Sequence, residues 1–239
     1  MVDQGVIVVG TDTGVGKTRV AAAVLVALRA RGVCALPMKP IQTGASDNRA
    51  PDLDFCLAAA GIGFDADLYD LLAPYRFPLP ASPHLAARAA GTPIEPARIL
   101  DAFRRLRADG HPLVVEAAGG LLVPLTDSLL QVDLLLEFNL PFLLVARPGL
   151  GTLNHTLLSV EALQRRGARL AGVVLNATTP GWGEVEEDNA RTLRLFNPGF
   201  GISCSPYAPI IRPHTLRETG QTILDKILDL ELRKSGNDY

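Results

Sequence analysis

Residues 6–9 (Val-Ile-Val-Val) form an unbroken β-branched run, the pattern of a strand covered on both faces. A Gly/Thr-rich turn follows. Residues 19–31 are rich in Ala and Leu and predict a helix that Gly32 ends. A second short strand is predicted over 35–39, stopped by Pro40, then a polar loop over 44–53 and a helix over 55–60 closed by Gly61. Pro74, Pro78, Pro80 and Pro83 exclude regular helix or central strand from 73–83. Further strands are predicted over 113–116, 141–146 and 171–176. Helices are predicted over 96–107, 154–166 and 184–195, with a long amphipathic one over 216–232. Strands that alternate with helices from end to end give an α/β chain with a doubly wound, mainly parallel sheet flanked by helices. Such sheets bind ligands at the carboxyl ends of their strands. With no repeat, low-complexity stretch or linker, one domain is expected over residues 1–239.

Composition narrows this little but excludes much. Of 239 residues, 48% are hydrophobic, enough for a large core, and only 5% aromatic, which favours aliphatic strands over an aromatic-rich sandwich. A formal net charge of −2 and no basic or acidic run give no reason to expect nucleic acid. Cys34, Cys56 and Cys204 are far apart and form no CxxC pair, so free thiols in a reducing compartment are expected. The N-terminus lacks signal-peptide character, and the apolar run 140–146 is far short of the roughly 20 residues that span a bilayer. A soluble, cytoplasmic protein without a membrane partner is the expectation.

The strongest chemical signal is Gly10-Thr-Asp-Thr-Gly-Val-Gly-Lys-Thr18, between the first strand and the first helix. Backbone N–H groups of such a turn converge on phosphate oxygens, and the helix N-terminus adds its positive end. In a phosphate loop of this kind Lys17 reaches the β- and γ-phosphates and the Thr18 hydroxyl holds Mg²⁺. The usual first glycine is here Thr11, so the spacing from Gly10 is one residue long. Glu116 ends the strand over 113–116 and is followed by Ala-Ala-Gly-Gly, the position of a second Mg²⁺ contact in nucleotide-binding sheets. Lys39 ends the strand over 35–39, and Pro40 fixes it in extended geometry at the ligand edge. Asp52 and Asp54 are both candidates for a further Mg²⁺ ligand or a helix cap, and local reasoning does not separate them. Ser82 offers a hydroxyl or a helix cap, and residues 147–154 open a helix with another set of N–H donors suited to a carboxylate or simply to a tight turn. No hydrolytic triad or zinc spacing is present.

Taken in order, Gly10–Thr18, Lys39-Pro-Ile-Gln-Thr-Gly44, Pro80-Ala-Ser-Pro-His84, Glu116-Ala-Ala-Gly-Gly120, Gly149-Leu-Gly-Thr-Leu-Asn-His155 and Asn176 resemble the dethiobiotin synthetase family. The resemblance implies a P-loop fold and an ATP- and Mg²⁺-dependent cyclo-ligase acting on 7,8-diaminopelargonate and CO2. It assigns triphosphate binding to Thr13, Gly14, Val15, Gly16, Lys17 and Thr18, with Glu116 and Gly119, and the metal to Thr18, Glu116 and Asp54, with Asp52 as the alternative. Lys17, Lys39 and Thr43 become the catalytic group. Asn176 and Pro206 border the nucleobase. Thr13, Lys39, Thr43 and Ser82 meet the diamine, and Gly149, Leu150, Gly151, Thr152 and Asn154 of a second subunit meet its carboxylate, which implies a homodimer. A regulatory ATPase switch acting on a protein partner is the alternative. The family reads Glu-Gly-Ala-Gly-Gly where this chain has Ala117, a strain if that position needs positive φ.

Overall fold

The computed structural model describes residues 5–45, 47–197, 199–208 and 212–228. Its centre is β1 (Gly5–Gly10), paired in parallel with β5 (Leu113–Glu116) on one side and β6 (Phe142–Ala146) on the other. The sheet continues outward to β2 (Leu36–Met38) beyond β5, and to β7 (Leu170–Asn176) and β8 (Gly201–Ser205) beyond β6. The order is therefore β2-β5-β1-β6-β7-β8, parallel throughout. A small second sheet pairs β3 (Ile41–Thr43) with β4 (Tyr75–Phe77).

Successive side chains of a strand point to opposite faces, and the core divides accordingly. Val6 and Val8 pack with α1 (Lys17–Ala30) and α9 (Pro213–Ile223), beside Val24, Leu25, Leu216 and Ile223. Ile7 and Val9 pack on the other face with α5 (Pro96–Ala108), α6 (Gln131–Leu136), α7 (Thr152–Gln164) and α8 (Glu184–Phe196), among them Ile99, Leu135, Leu163 and Leu193. This is the two-sided burial implied by the unbroken aliphatic runs, and each such side chain contributes about 1.5–3 kcal/mol. Three shorter helices, α2 (Pro51–Ala59), α3 (Ala66–Leu72) and α4 (Pro83–Ala89), close the edge near β2 and β3.

The predicted elements shift in informative ways. α2 begins at Pro51 rather than residue 55, because Ala50 is extended and proline suits the first helical position, so Asp52 shares the first turn with Asp54 and does not belong to the loop. The proline-rich segment 73–83 holds β4 at the rim of the small sheet, where missing N–H groups are tolerated. The C-terminal helix starts three residues earlier than predicted and passes into a π turn, Leu224–Leu228; the predicted residues 229–232 lie outside the described ones. Among the described residues, no helix is long and apolar enough to cross a membrane.

Candidate active site

The carboxyl ends of β1, β2 and β5 open into one cavity of about 630 Å³. Thr13, Gly14, Gly16, Lys17 and Thr18 line it from the turn after β1, Lys39 from the end of β2, Thr43 from β3, Ser82 from the start of α4, and Glu116 and Gly119 from the end of β5. The loop after β1 is shaped by its glycines. Gly16 has φ +91°, and a Cβ there would stand 2.1 Å from Asn176 Nδ2. Gly10 takes up the displaced spacing: a Cβ on it would sit 2.9 Å from Asp12 O and 3.0 Å from the Lys17 side chain. Thr11 instead bonds through its N–H to Val145 O at 2.9 Å, continuing the β1–β6 ladder. Lys17 Nζ donates to Asp12 O at 2.9 Å, folded back over the loop it serves.

At the floor, charges interlock. Lys39 Nζ, 4% exposed as a residue, donates to Glu116 Oε1 at 2.7 Å, Asp52 Oδ2 at 2.8 Å and Ala117 O at 3.3 Å. The Thr18 hydroxyl donates to the same Glu116 oxygen at 2.8 Å. Burial acts to lower the Lys39 ammonium, but the two carboxylates overcome it and hold it above the ordinary lysine value. Glu116 is pushed upward, first by burial and then by its like-charged neighbour Asp52, against the pull of Lys39. Burial also acts to raise Asp52, but Lys39 keeps it below the usual carboxylate range. Lys17 is placed differently: burial, and then the charge of Lys39, bring it down to about 8 against the weaker pull of Glu116, Asp52 and Asp12. Two lysines and two carboxylates thus make a site with no formal net charge. Cys56, behind it, has a thiol pushed well up by burial.

Asp54 is corrected by this geometry. Residues two apart on a helix lie about 200° apart around its axis, so only one of the pair faces the cavity. Asp52 does. Asp54 turns the other way, taking two hydrogen bonds from Arg49 at 2.7 and 3.1 Å and one from the Tyr69 hydroxyl at 2.8 Å. Ala117 carries no strain: its φ is not positive, and its N–H donates to Val8 O at 3.0 Å.

Other predicted residues lie off the cavity. Val15 is buried beneath the loop, where its carbonyl accepts from Asn176 Nδ2 at 2.9 Å. Asn176 is itself buried, with Oδ1 unpartnered. Pro206 borders a separate hollow of about 330 Å³ with Trp182 and Arg194, and its carbonyl accepts from Arg19 at 3.0 Å. Gly149, Leu150, Gly151, Thr152 and Asn154 line none of this. Leu150 is 94% exposed, Thr152 is buried with its hydroxyl 3.2 Å from that of Thr156, and Asn189 holds the carbonyls of Pro148 and Gly149. Gln42 lies inside the Lys39–Gly44 motif without an expected role there, and Gln131 carries no signal in the sequence pattern. Gln42 is buried beside Asp52, and Gln131 is buried behind the Ala118–Gly120 loop. A lone glutamine among apolar residues has no characteristic spacing.

Relatives resolve which nucleotide-binding family this is. A family described as "AAA domain" matches residues 4–215. An ATP-dependent dethiobiotin synthetase of Anaeromyxobacter dehalogenans is 48% identical over 177 residues, 74% of this chain and 78% of that one. One of Agrobacterium fabrum is 40% identical over 212 residues, 89% of this chain and 90% of that one. The chain belongs to the dethiobiotin synthetase family. Membership extends over nearly its whole length, since a synthetase of Halalkalibacterium halodurans is 36% identical across 87% of this chain and 86% of its own. Fold similarity reaches further: a chain of the MinC:MinD cell division complex of Aquifex aeolicus superimposes with TM-score 0.56 at 14% identity, covering 99% of this chain and 97% of that one. That likeness concerns the P-loop fold alone.

Proposed function

We propose that the protein is a cytoplasmic, homodimeric ATP- and Mg²⁺-dependent cyclo-ligase that closes the ureido ring of dethiobiotin from 7,8-diaminopelargonate and CO2. The observation that carries this is a second buried lysine, Lys39, placed with Glu116, Asp52 and Thr18 at the floor of a phosphate-binding cavity. A simple nucleotide switch has no need of that additional cation in a cavity that Thr43 and Ser82 also line.

One amine of the diamine adds to CO2 and loses a proton to give a carbamate. A carbamate oxygen attacks the γ-phosphorus, breaking its bond to ADP and forming a carbamic–phosphoric anhydride. The second amine attacks the carbonyl carbon, expels inorganic phosphate and gives up a proton, closing the ring. None of these steps requires a protein nucleophile; they require positioning and charge neutralisation. Lys17 and the loop Thr13–Thr18 hold the triphosphate. Lys39 and Thr43 orient the carbamate, and Ser82 borders the diamine. The Thr18 hydroxyl, Asp52 and Glu116 are hard oxygen donors suited to Mg²⁺, which is commonly held by one or two carboxylates together with substrate phosphates. When bound, Mg²⁺ supplies neutralisation of charge on the phosphates. The turn Gly149–Asn154, exposed at Leu150, Gly151 and Asn154, is assigned to the substrate carboxylate of a second subunit, and Asn176 and Pro206 to the base side.

Phosphate release from ATP with Mg²⁺ and bicarbonate, with and without the diamine, tests this. Diamine-dependent release with dethiobiotin as product is expected. Basal hydrolysis indifferent to the diamine overturns the ligase reading in favour of a regulatory ATPase.

A further inference from the structure

The Gln131 carboxamide makes three hydrogen bonds to one short stretch of backbone. Its Oε1 accepts from Ala118 N–H at 2.7 Å, and its Nε2 donates to Ala118 O at 2.9 Å and Gly120 O at 3.1 Å. The residue is only 3% exposed. Its own backbone is held as well: Gln131 N–H donates to Val123 O at 2.8 Å, and Pro124 bridges to Leu130. The loop from 118 to 131 is therefore closed on itself, with this side chain as its internal brace.

The braced stretch forms a wall of the candidate site. Ala118 and Gly119 line the cavity, Gly119 sits at φ +61° where an added Cβ would stand 3.5 Å from the Thr13 hydroxyl, and Ala117 O is one of the three acceptors of Lys39. We infer that Gln131 is a positioning residue: it fixes the Ala118–Gly120 backbone against Thr13, and with it the part of the cavity beyond Lys17 that receives the γ-phosphate and the attacking group. This rests on the ATP-dependent reading of the site. Only a carboxamide serves both ends of the brace. Methionine leaves the N–H and two carbonyls without partners, and an ionised carboxylate keeps the single acceptor but opposes two carbonyl oxygens.

The test compares Gln131→Met and Gln131→Glu with the full-length wild type. Binding of Mg·ADP and of a non-hydrolysable Mg·ATP analogue is measured by calorimetry, together with turnover. The α- and β-phosphates are held by the loop after β1, so ADP affinity is expected to stay within about twofold, while affinity for the ATP analogue and kcat both fall about tenfold or more, as for a misplaced reacting group. In Gln131→Glu the introduced carboxyl is buried and its protonated form regains a donor. Its loss relative to wild type should therefore shrink as pH falls, a pH dependence absent from Gln131→Met. Thermal melting reads any general loss of stability separately. A wild-type ratio of the two affinities with turnover within twofold overturns the assignment, as does a Gln131→Glu pH profile parallel to that of wild type. Should Gln131→Met not fold, Gln131→Glu alone decides. If wild type shows no diamine-dependent turnover, the ligase reading fails, yet the comparison of ADP with the ATP analogue still judges Gln131.

Discussion

Asp52 and Asp54 share a helical turn and differ in what a neutral amide would remove. Asp52→Asn takes a carboxylate from Lys39 at the cavity floor. Turnover is expected to fall about 100-fold or more, with a higher Mg²⁺ requirement in a metal titration. Asp54→Asn loosens Arg49 and the Tyr69 hydroxyl, both partly exposed contacts, and is expected to cost on the order of 1 kcal/mol in urea denaturation with kcat little changed. Equal effects on activity would contradict the assignment. Lys17 gives a second test. Its folded pKa is about 8 against an ordinary 10.5, so above pH 8 the folded protein loses a proton that the unfolded chain keeps. By linkage this group makes stability rise with pH between about 8 and 10.5, while Lys39, shifted upward, favours the folded state below its own higher pKa. A bound triphosphate favours the charged lysine, so ATP binding should take up protons between pH 8 and 9 and weaken as pH rises. Calorimetry in two buffers of different ionisation enthalpy measures that uptake; its absence would refute a lowered Lys17.

At the scale of elements, α9 meets α1 at backbone distance. A Cβ on Gly220 would stand 1.9 Å from Ala23 O and 2.8 Å from Ala27 Cβ. On an exposed helix Gly→Ala stabilises by up to about 1 kcal/mol, but here the sign should invert, with a loss of about 1–3 kcal/mol in chemical denaturation. The sequence pattern carries the central strands and main helices well, because unbroken aliphatic runs and Ala/Leu-rich stretches have few alternative readings. It fails for β8, whose Gly-Ile-Ser-Cys-Ser has little aliphatic content and becomes a strand through pairing with β7. It fails too for three-residue β3 and β4, which exist by pairing with each other. In the site, the P-loop, Lys39 and Glu116 are legible because each sits at a strand end. Asp52 over Asp54 depends on helix phase, which a start misplaced from Pro51 conceals, and Gln131 depends on a loop closure that no spacing encodes.

For the whole molecule, the cavity is walled by segments of α1, β2, β3, α2, α4 and the loop after β5, so a nucleotide bound there would tie together parts of the chain a hundred residues apart. Mg·ATP at about 100 times its Kd should add about 2.7 kcal/mol, a rise in Tm of about 5–10 °C for a chain of this length. A melting scan across nucleotide concentrations measures it, and an unmoved transition would count against binding at this site. The sheet order adds something about how the protein comes into being. β1 and β2 are made first, yet they are not neighbours; in the finished sheet they lie two strand spacings, about 10 Å, apart, with β5, which follows some seventy residues later in the chain, between them. The strand that fills this slot also delivers Glu116, partner of both Thr18 and Lys39. A chain in which that slot is empty has no finished floor to its cavity, so nucleotide capture would report that β5 is in place.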